Sequence, residues 1–289
     1  MSKRKRKTAI RRILVAVDAS PHSLAALEAA VDFAARMQAE LMGLFVEDVQ
    51  LLRLAESPDA REILLPSATI APLERSAMEA KFRAHSEGAR KALAAAAERA
   101  RVPWSFRTAR GHVASEILAA LEEADLLAMA TIGSPFGRHF RFGSAALELA
   151  GSALPVLLLP AHGARFKGHL LILYDGSAAA KERISVAAEL VRAGANRITV
   201  LIPAADSQSA EPIQQELETL LADSGADIQY RSFDPADETA LIRAVKAERA
   251  GVLVLPGRKS LENLPDLESY LGESEMSLLL CGGSEAEEE

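Results

Sequence analysis

One pattern occurs twice in the chain, and it limits the fold more than any other feature. Ile13 to Val17 is a short apolar run closed by Asp18, Ala19 and Ser20, and Leu170 to Tyr174 is closed by Asp175, Gly176 and Ser177. Both the Asp and the Ser recur at an offset of 157 positions. An apolar run of this length ending in a carboxylate suits a parallel strand buried on both faces. Its recurrence predicts two copies of one unit. At 289 residues, of which 49% are hydrophobic, the chain is long enough for two ordinary domains.

Each copy alternates strands with helices. After the first strand, Pro21 suits a first helical turn, and Leu24, Leu27, Val31 and Ala35 recur at helical spacing. Leu41 to Val46 reads as the second strand. A polar stretch with Pro58, Pro66 and Pro72 reads as a partly helical insertion, and Met78, Phe82, Ala89 and Leu93 mark a long helix after it. Strands at Trp104 to Ala109, Leu126 to Thr131 and Val156 to Leu159 complete the first copy, with a helix carrying Val113, Ile117 and Leu121 and another after Gly143. The second copy has strands at Ile198 to Ile202, Ile228 to Phe233, Val252 to Leu255 and Ser277 to Cys281. Its helices carry Ile184, Ala188 and Val191, then Ile213, Leu217 and Leu220, then Leu241 and Val245. The fold class is therefore α/β: two tandem open, mainly parallel five-stranded sheets with helices on both faces. The expected organisation is a basic arm over 1–11, a first domain over 12–161, a second over 168–281 and an acidic tail over 282–289.

Charge and cysteine content exclude several functions. The first twelve residues hold seven of the 33 cations and no acid, which leaves 26 cations against 40 acids in the remainder. Such a body repels nucleic acid, so none is expected as a partner. The apolar run after the basic arm is far shorter than the roughly 20 residues needed to span a bilayer, so the chain is expected to be cytoplasmic. A lone Cys281 excludes an intramolecular disulfide, and His22, His85, His112, His139, His162 and His169 lack metal-ligand spacing. No metal site is expected in the protein itself.

Open α/β sheets bind ligands beyond the carboxyl ends of their strands, where strand order reverses and neighbouring loops diverge. Two loops of the first copy qualify. One is Asp18-Ala19-Ser20. The other begins Ala130-Thr131-Ile132-Gly133 and runs through Arg138, His139 and Arg141 to Gly143-Ser144-Ala145. Gly133 and Gly143 present no side chain to an approaching ligand, and Gly143-Ser144 opens a predicted helix whose free amides favour phosphate. Arg138 and Arg141 add cations. Glycines of this kind also serve ordinary turns, and Asp18 and Ser20 also suit a helix cap.

At these residues the first copy resembles the ATP-binding branch of the universal stress proteins, whose hallmark is Gly-x-x-Gly, nine residues, then Gly-Ser or Gly-Thr. Gly133, the nine residues Ser134 to Phe142, and Gly143-Ser144 fit without a gap; Ala130 replaces the first glycine. The resemblance implies a sheet ordered 3-2-1-4-5, with Asp18 near adenine and ribose and Val46 at the end of the second strand within the site. Arg110-Gly111-His112 resembles the family's strand-to-helix turn. The implied ligand is ATP, ADP or AMP, with Mg2+ carried by the phosphates. The resemblance covers Arg12 to Pro160 well and Gly168 to Cys281 in outline only.

The second copy keeps Asp175, but its equivalent loop, Pro256-Gly257-Arg258-Lys259-Ser260, lacks a second spaced glycine and a Gly-Ser pair before the last strand. It reads as a structural partner. Family members pair through their last strands, so the resemblance implies an intrachain pseudo-dimer along Val156 to Leu159 and Leu278 to Cys281, with a homodimer as a further option. No P-loop, no Gly-x-Gly-x-x-Gly and no catalytic set is found, which leaves slow ATP hydrolysis as the most activity expected. The leading expectation is a bacterial stress-response regulator that binds an adenine nucleotide and is read by a protein partner. The alternatives are an enzyme of adenine-nucleotide α-hydrolase type and a ligand-free interaction scaffold.

Overall fold

The structure, a computed structural model, describes residues 10–18, 20–64, 69–130, 149, 154–160, 168–192, 194–222, 224–237, 239–256, 267, 270–271 and 274–281. The first half runs β1 (Arg12–Ala16), α1 (Pro21–Met37), β2 (Glu40–Asp48), α2 (Val49–Leu54), β3 (Arg61–Leu64), β4 (Thr69–Pro72), α3 (Arg75–Ala100), β5 (Trp104–Gly111), α4 (Val113–Leu121), β6 (Leu126–Ala130) and β7 (Val156–Leu159). The second runs β8 (His169–Leu173), α5 (Ala178–Arg192), β9 (Arg197–Pro203), α6 (Ser207–Leu221), β10 (Asp227–Phe233), α7 (Ala240–Glu248), β11 (Val252–Pro256) and β12 (Ser277–Cys281).

A ten-stranded sheet runs through the described residues in the order β10-β9-β8-β11-β12-β7-β6-β1-β2-β5. Within each half, the main-sheet strands taken in chain order lie 3-2-1-4-5 and pair in parallel. The two fifth strands meet in the middle and pair antiparallel, with Leu278 opposite Leu158, Leu279 opposite Leu157 and Leu280 opposite Val156. This single antiparallel step turns the second half around. The carboxyl ends of the first-half strands therefore face one edge of the sheet, and those of the second half face the opposite edge.

Local sequence explains most elements. Ile13, Leu14 and Val15 in β1 are all buried, as a central strand covered on both faces requires. α1 begins where Ser20 leaves the extended conformation and its Oγ accepts the Ser23 N–H, with Pro21 filling the first turn. The inward faces of α1, α3, α5 and α6 build one apolar layer, and those of α4 and α7 build the layer on the other face of the sheet. Both layers run without a break from one half to the other. α3 lies very close to β2: a Cβ on Gly43 would stand 2.6 Å from Leu93 Cδ2 and 2.7 Å from Phe106 Cδ2. A side chain there would force Leu93 and Phe106 to move.

The insertion is partly helical as expected but also holds two strands, and one expectation in α6 needs correction. The Gln50 to Pro72 insertion is a short helix followed by an antiparallel hairpin, with Ile63 opposite Ile70 and both exposed. Its prolines disguise the strands, although Pro72 sits at a strand end where the missing N–H costs little. In α6, Leu217 and Leu221 face the core, whereas Leu220 is 46% exposed. The apolar stripe there continues at the four-residue step, not the three-residue one.

Candidate functional site at the strand-order reversal

β1 lies between β6 and β2, and the chain returns from β5 across the sheet to β6, so strand order reverses between β1 and β6. Ala16 stands in register with Leu44 on one side and Met129 on the other. Asp18 and Val46 each lie two residues beyond that level, and Ala130 lies one residue beyond. The structure thus brings Asp18, Val46 and Ala130 to one edge, on adjacent strands. Ala19, Thr131, Ile132, Gly133, Arg138, Arg141, Gly143, Ser144 and Ala145 lie outside the described residues.

The turn after β1 is fixed by reciprocal polar contacts. Val17 N–H donates to Leu44 O at 3.0 Å, Asp18 N–H to Ser23 Oγ at 3.1 Å, and Ser20 N–H to Asp18 Oδ1 at 2.9 Å. One carboxylate oxygen of Asp18 therefore orders the turn and the start of α1, as an Asx turn does. The residue remains exposed to the space beyond the strand end.

Beside this turn lies a polar rim that sequence reasoning did not identify. Glu47 is buried, and Arg110 reaches one of its oxygens with Nε at 2.7 Å and Nη2 at 2.6 Å, while Arg110 Nη1 lies 3.6 Å from Glu79. Arg75 bonds Glu56 and approaches Glu79 at 3.4 Å, and Lys81 bonds Glu62. These pairs tie α2, the hairpin and α3 to the ends of β2 and β5. The available signal was Glu47-Asp48 following an apolar run, with Arg110 on the neighbouring strand. Arg110 and Gly111 belong to β5 itself and only His112 caps α4, so the expected turn begins later than its sequence suggested.

The second half repeats the turn with different surroundings. Ser177 N–H and Oγ–H donate to Asp175 Oδ1 at 3.1 and 2.7 Å, and Ser177 Oγ accepts the Ala180 N–H at 3.1 Å. Burial pushes the Asp175 carboxyl up, but its bonds from Ser177 and the nearby Arg183 outweigh that and hold it below its ordinary value. By strand register, Pro203 corresponds to Val46 and Pro256 to Ala130. Gly257 to Ser260 lie outside the described residues.

Among the described residues no group of three or more His, Cys, Asp or Glu side chains is placed to hold a metal ion, and no helix is long and apolar enough to cross a membrane.

Comparison with known proteins agrees with this geometry. The family model for the universal stress protein family matches residues 9–160. A universal stress protein from Archaeoglobus fulgidus DSM 4304 superposes with a TM-score of 0.73 at 16% identity, covering 97% of this chain and 100% of that one. A candidate universal stress protein from Pseudomonas aeruginosa UCBPP-PA14 superposes with a TM-score of 0.56 at 19% identity, covering 95% of this chain and 94% of that one. A functionally unknown protein from Pseudomonas aeruginosa PAO1 gives 0.56 at 18% identity, covering 95% and 93%. No curated protein matches the chain.

Proposed function

Because this chain belongs to the universal stress protein family, we propose that it is a stress-response regulator that binds ATP or another adenine nucleotide in its first half. In this reading the second half serves as an intrachain pseudo-dimer partner. The observation that carries the proposal is the convergence of Asp18, Val46 and Ala130 on one edge at the strand-order reversal, where open α/β sheets hold ligands.

The residues present suit a nucleoside. Asp18 is an exposed carboxylate whose Oδ1 is engaged within its turn, and its other oxygen can accept from ribose hydroxyls. Val46 is half-buried and offers apolar surface to a base. The small Ala130, whose backbone is not left-handed, permits close approach. The polyphosphate would be held by the segment from Gly133 to Ser144 through free helix amides, the Ser144 hydroxyl, Arg138 and Arg141, with Mg2+ arriving on the phosphates. Hydrolysis has little support: Asp18 is expected at the nucleoside end, and the segment Gly133 to Ser144 contains no carboxylate to position water. Nucleotide occupancy would change a surface read by a protein partner.

Mass analysis of the small molecules that copurify with the intact chain tests this reading. Unchanged adenine nucleotide supports it. Turnover of added ATP to AMP and pyrophosphate would favour an α-hydrolase-like enzyme, and an empty protein that shows no thermal shift with ATP, ADP or AMP would favour an interaction scaffold.

A further inference from the structure

The two ends of the chain carry opposite charge. Lys3 to Lys7 is an unbroken run of five cations, and four of the last five residues, Glu285, Glu287, Glu288 and Glu289, are acids. Both segments lie outside the described residues, but the strands they extend do not. Leu280 stands opposite Val156, Val156 pairs with Leu127 and Leu127 with Leu14, so one row crosses β12, β7, β6 and β1. Cys281 and Ile13 each lie one residue beyond that row, toward the same edge of the sheet. The antiparallel seam thus places the amino end of β1 and the carboxyl end of β12 on one edge, where a parallel seam would have put them on opposite edges. They are three strand spacings apart, about 14 Å at roughly 4.8 Å each.

The root of the basic arm is fixed at this edge. The Arg11 and Arg12 N–H groups both donate to Asp125 Oδ2, at 2.9 and 3.0 Å, and the Arg12 side chain pairs with Glu40 at 3.1 Å. The acids nearest to it are already engaged: Asp125 and Glu40 by these contacts, and Glu123 by Arg107 at 3.0 Å. Asp175, two strands beyond β12 on the same edge, is bonded by Ser177 and lies 3.4 Å from Arg183. The glutamates that follow β12 are therefore the nearest concentration of acid that these contacts do not involve.

The lengths suffice. Lys7 precedes Arg12 by five positions and Glu285 follows Cys281 by four. At up to about 3.3 Å per residue, the two segments together cross the gap and overlap. One exposed ion pair contributes little, but here several opposite charges are tethered to one edge, which sets an effective concentration in the millimolar range. We propose that the acidic tail pairs with the basic arm of the same chain across this edge and so withholds the arm from other polyanions. The rest of the chain carries an excess of acid and repels such partners, so the arm is the segment that would engage them. The pairing lies on the edge opposite Asp18 and does not depend on nucleotide binding there.

Carbodiimide coupling, which joins an amine to a carboxylate it touches, tests the pairing on an equal mixture of unlabelled and isotope-labelled full chains at low salt. Lys3, Lys5 or Lys7 should couple to Glu285, Glu287, Glu288 or Glu289 in peptides of a single isotope, and about 0.5 M sodium chloride should remove most of the product. Heparin, a sulfated polyanion, gives a second measurement. Glu288→Gln with Glu289→Gln should strengthen heparin binding at low salt by about threefold or more, because the arm is released. Asp59→Asn with Glu74→Gln removes the same charge from exposed positions on the opposite edge and should leave heparin affinity within about 1.5-fold of wild type. Arm lysines that couple to other acids as often as to the tail, coupled peptides of mixed isotope, which would mean a second copy supplies the tail, or equal heparin gains from the two double variants would overturn the proposal.

Discussion

Leu157 in β7 and Leu279 in β12 stand directly opposite each other in the antiparallel pair that joins the two halves, and both are fully buried. They belong to the same apolar layer, which runs across the seam. Neither fifth strand leaves an open edge, which removes the site where two sheets would otherwise meet other chains.

The seam should therefore behave as core. Leu279→Ala is expected to cost about 2–5 kcal/mol, the range for truncating a buried leucine. Urea unfolding followed both at the single Trp104 of the first half and by far-ultraviolet circular dichroism should move together. A loss below about 1 kcal/mol, or a Trp104 transition that stays in place while the dichroism moves, would show that the halves are not coupled through these strands.

Glu47 and Arg110 make a second test. Arg110 is about half exposed, but the carboxylate it holds is nearly covered, so Arg110→Ala leaves a mostly buried charge with no close partner. A loss of about 1–2 kcal/mol is expected, after allowing for solvent around the arginine. Glu47→Met with Arg110→Met should recover part of it. If the double variant loses more than Glu47→Met and Arg110→Met lose when summed, the pair has been misjudged.

His169 should give the chain a pH dependence. Its Nε2 lies 2.9 Å from Thr199 Oγ1 and 3.9 Å from Glu248, and Arg197 and Asp227 also face it. Burial, aided by Arg197, pushes its pKa below the ordinary value, against the opposing pull of Glu248 and Asp227. The folded state thus favours the neutral ring, and the unfolded state binds more protons below the ordinary histidine pKa. Its contribution is present above that pKa and is lost as pH falls toward the folded value. Melting temperatures between pH 7.5 and 5.5, values chosen to span about one unit either side of 6.5, should fall for wild type and fall less for His169→Gln. Equal slopes would contradict the assignment.

Much of this architecture is legible in the sequence. The repeat of an apolar run, Asp and Ser marks β1 and β8, because a strand covered on both faces must be continuously apolar and the helix after it needs a cap. The helix ends are harder to read. Gln38, Arg101 and Arg249 adopt left-handed C-caps at φ 52, 55 and 46 without the glycine that usually signals one. Arg183 is the clearest failure: it sits on a predicted helix where a charged residue reads as solvent-facing, and only the packing of α5 against the sheet reveals that it is buried. Of the candidate nucleotide site, Asp18, Val46 and Ala130 are brought together as their strand ends suggest. The glycine-spaced segment between β6 and β7 is known from sequence alone.

Calorimetric titration of the intact chain with ATP is the most direct measurement of nucleotide binding. One nucleotide per chain is expected. Gly143→Val should weaken it by a factor of 100 or more, about 2.7 kcal/mol, because in the proposed site a side chain there would meet the phosphates. Asp175→Asn should change neither affinity nor stoichiometry. No binding of ATP, ADP or AMP by wild-type protein with or without magnesium, or a Gly143→Val variant that binds as tightly as wild type, would contradict the placement of a nucleotide site in the first half.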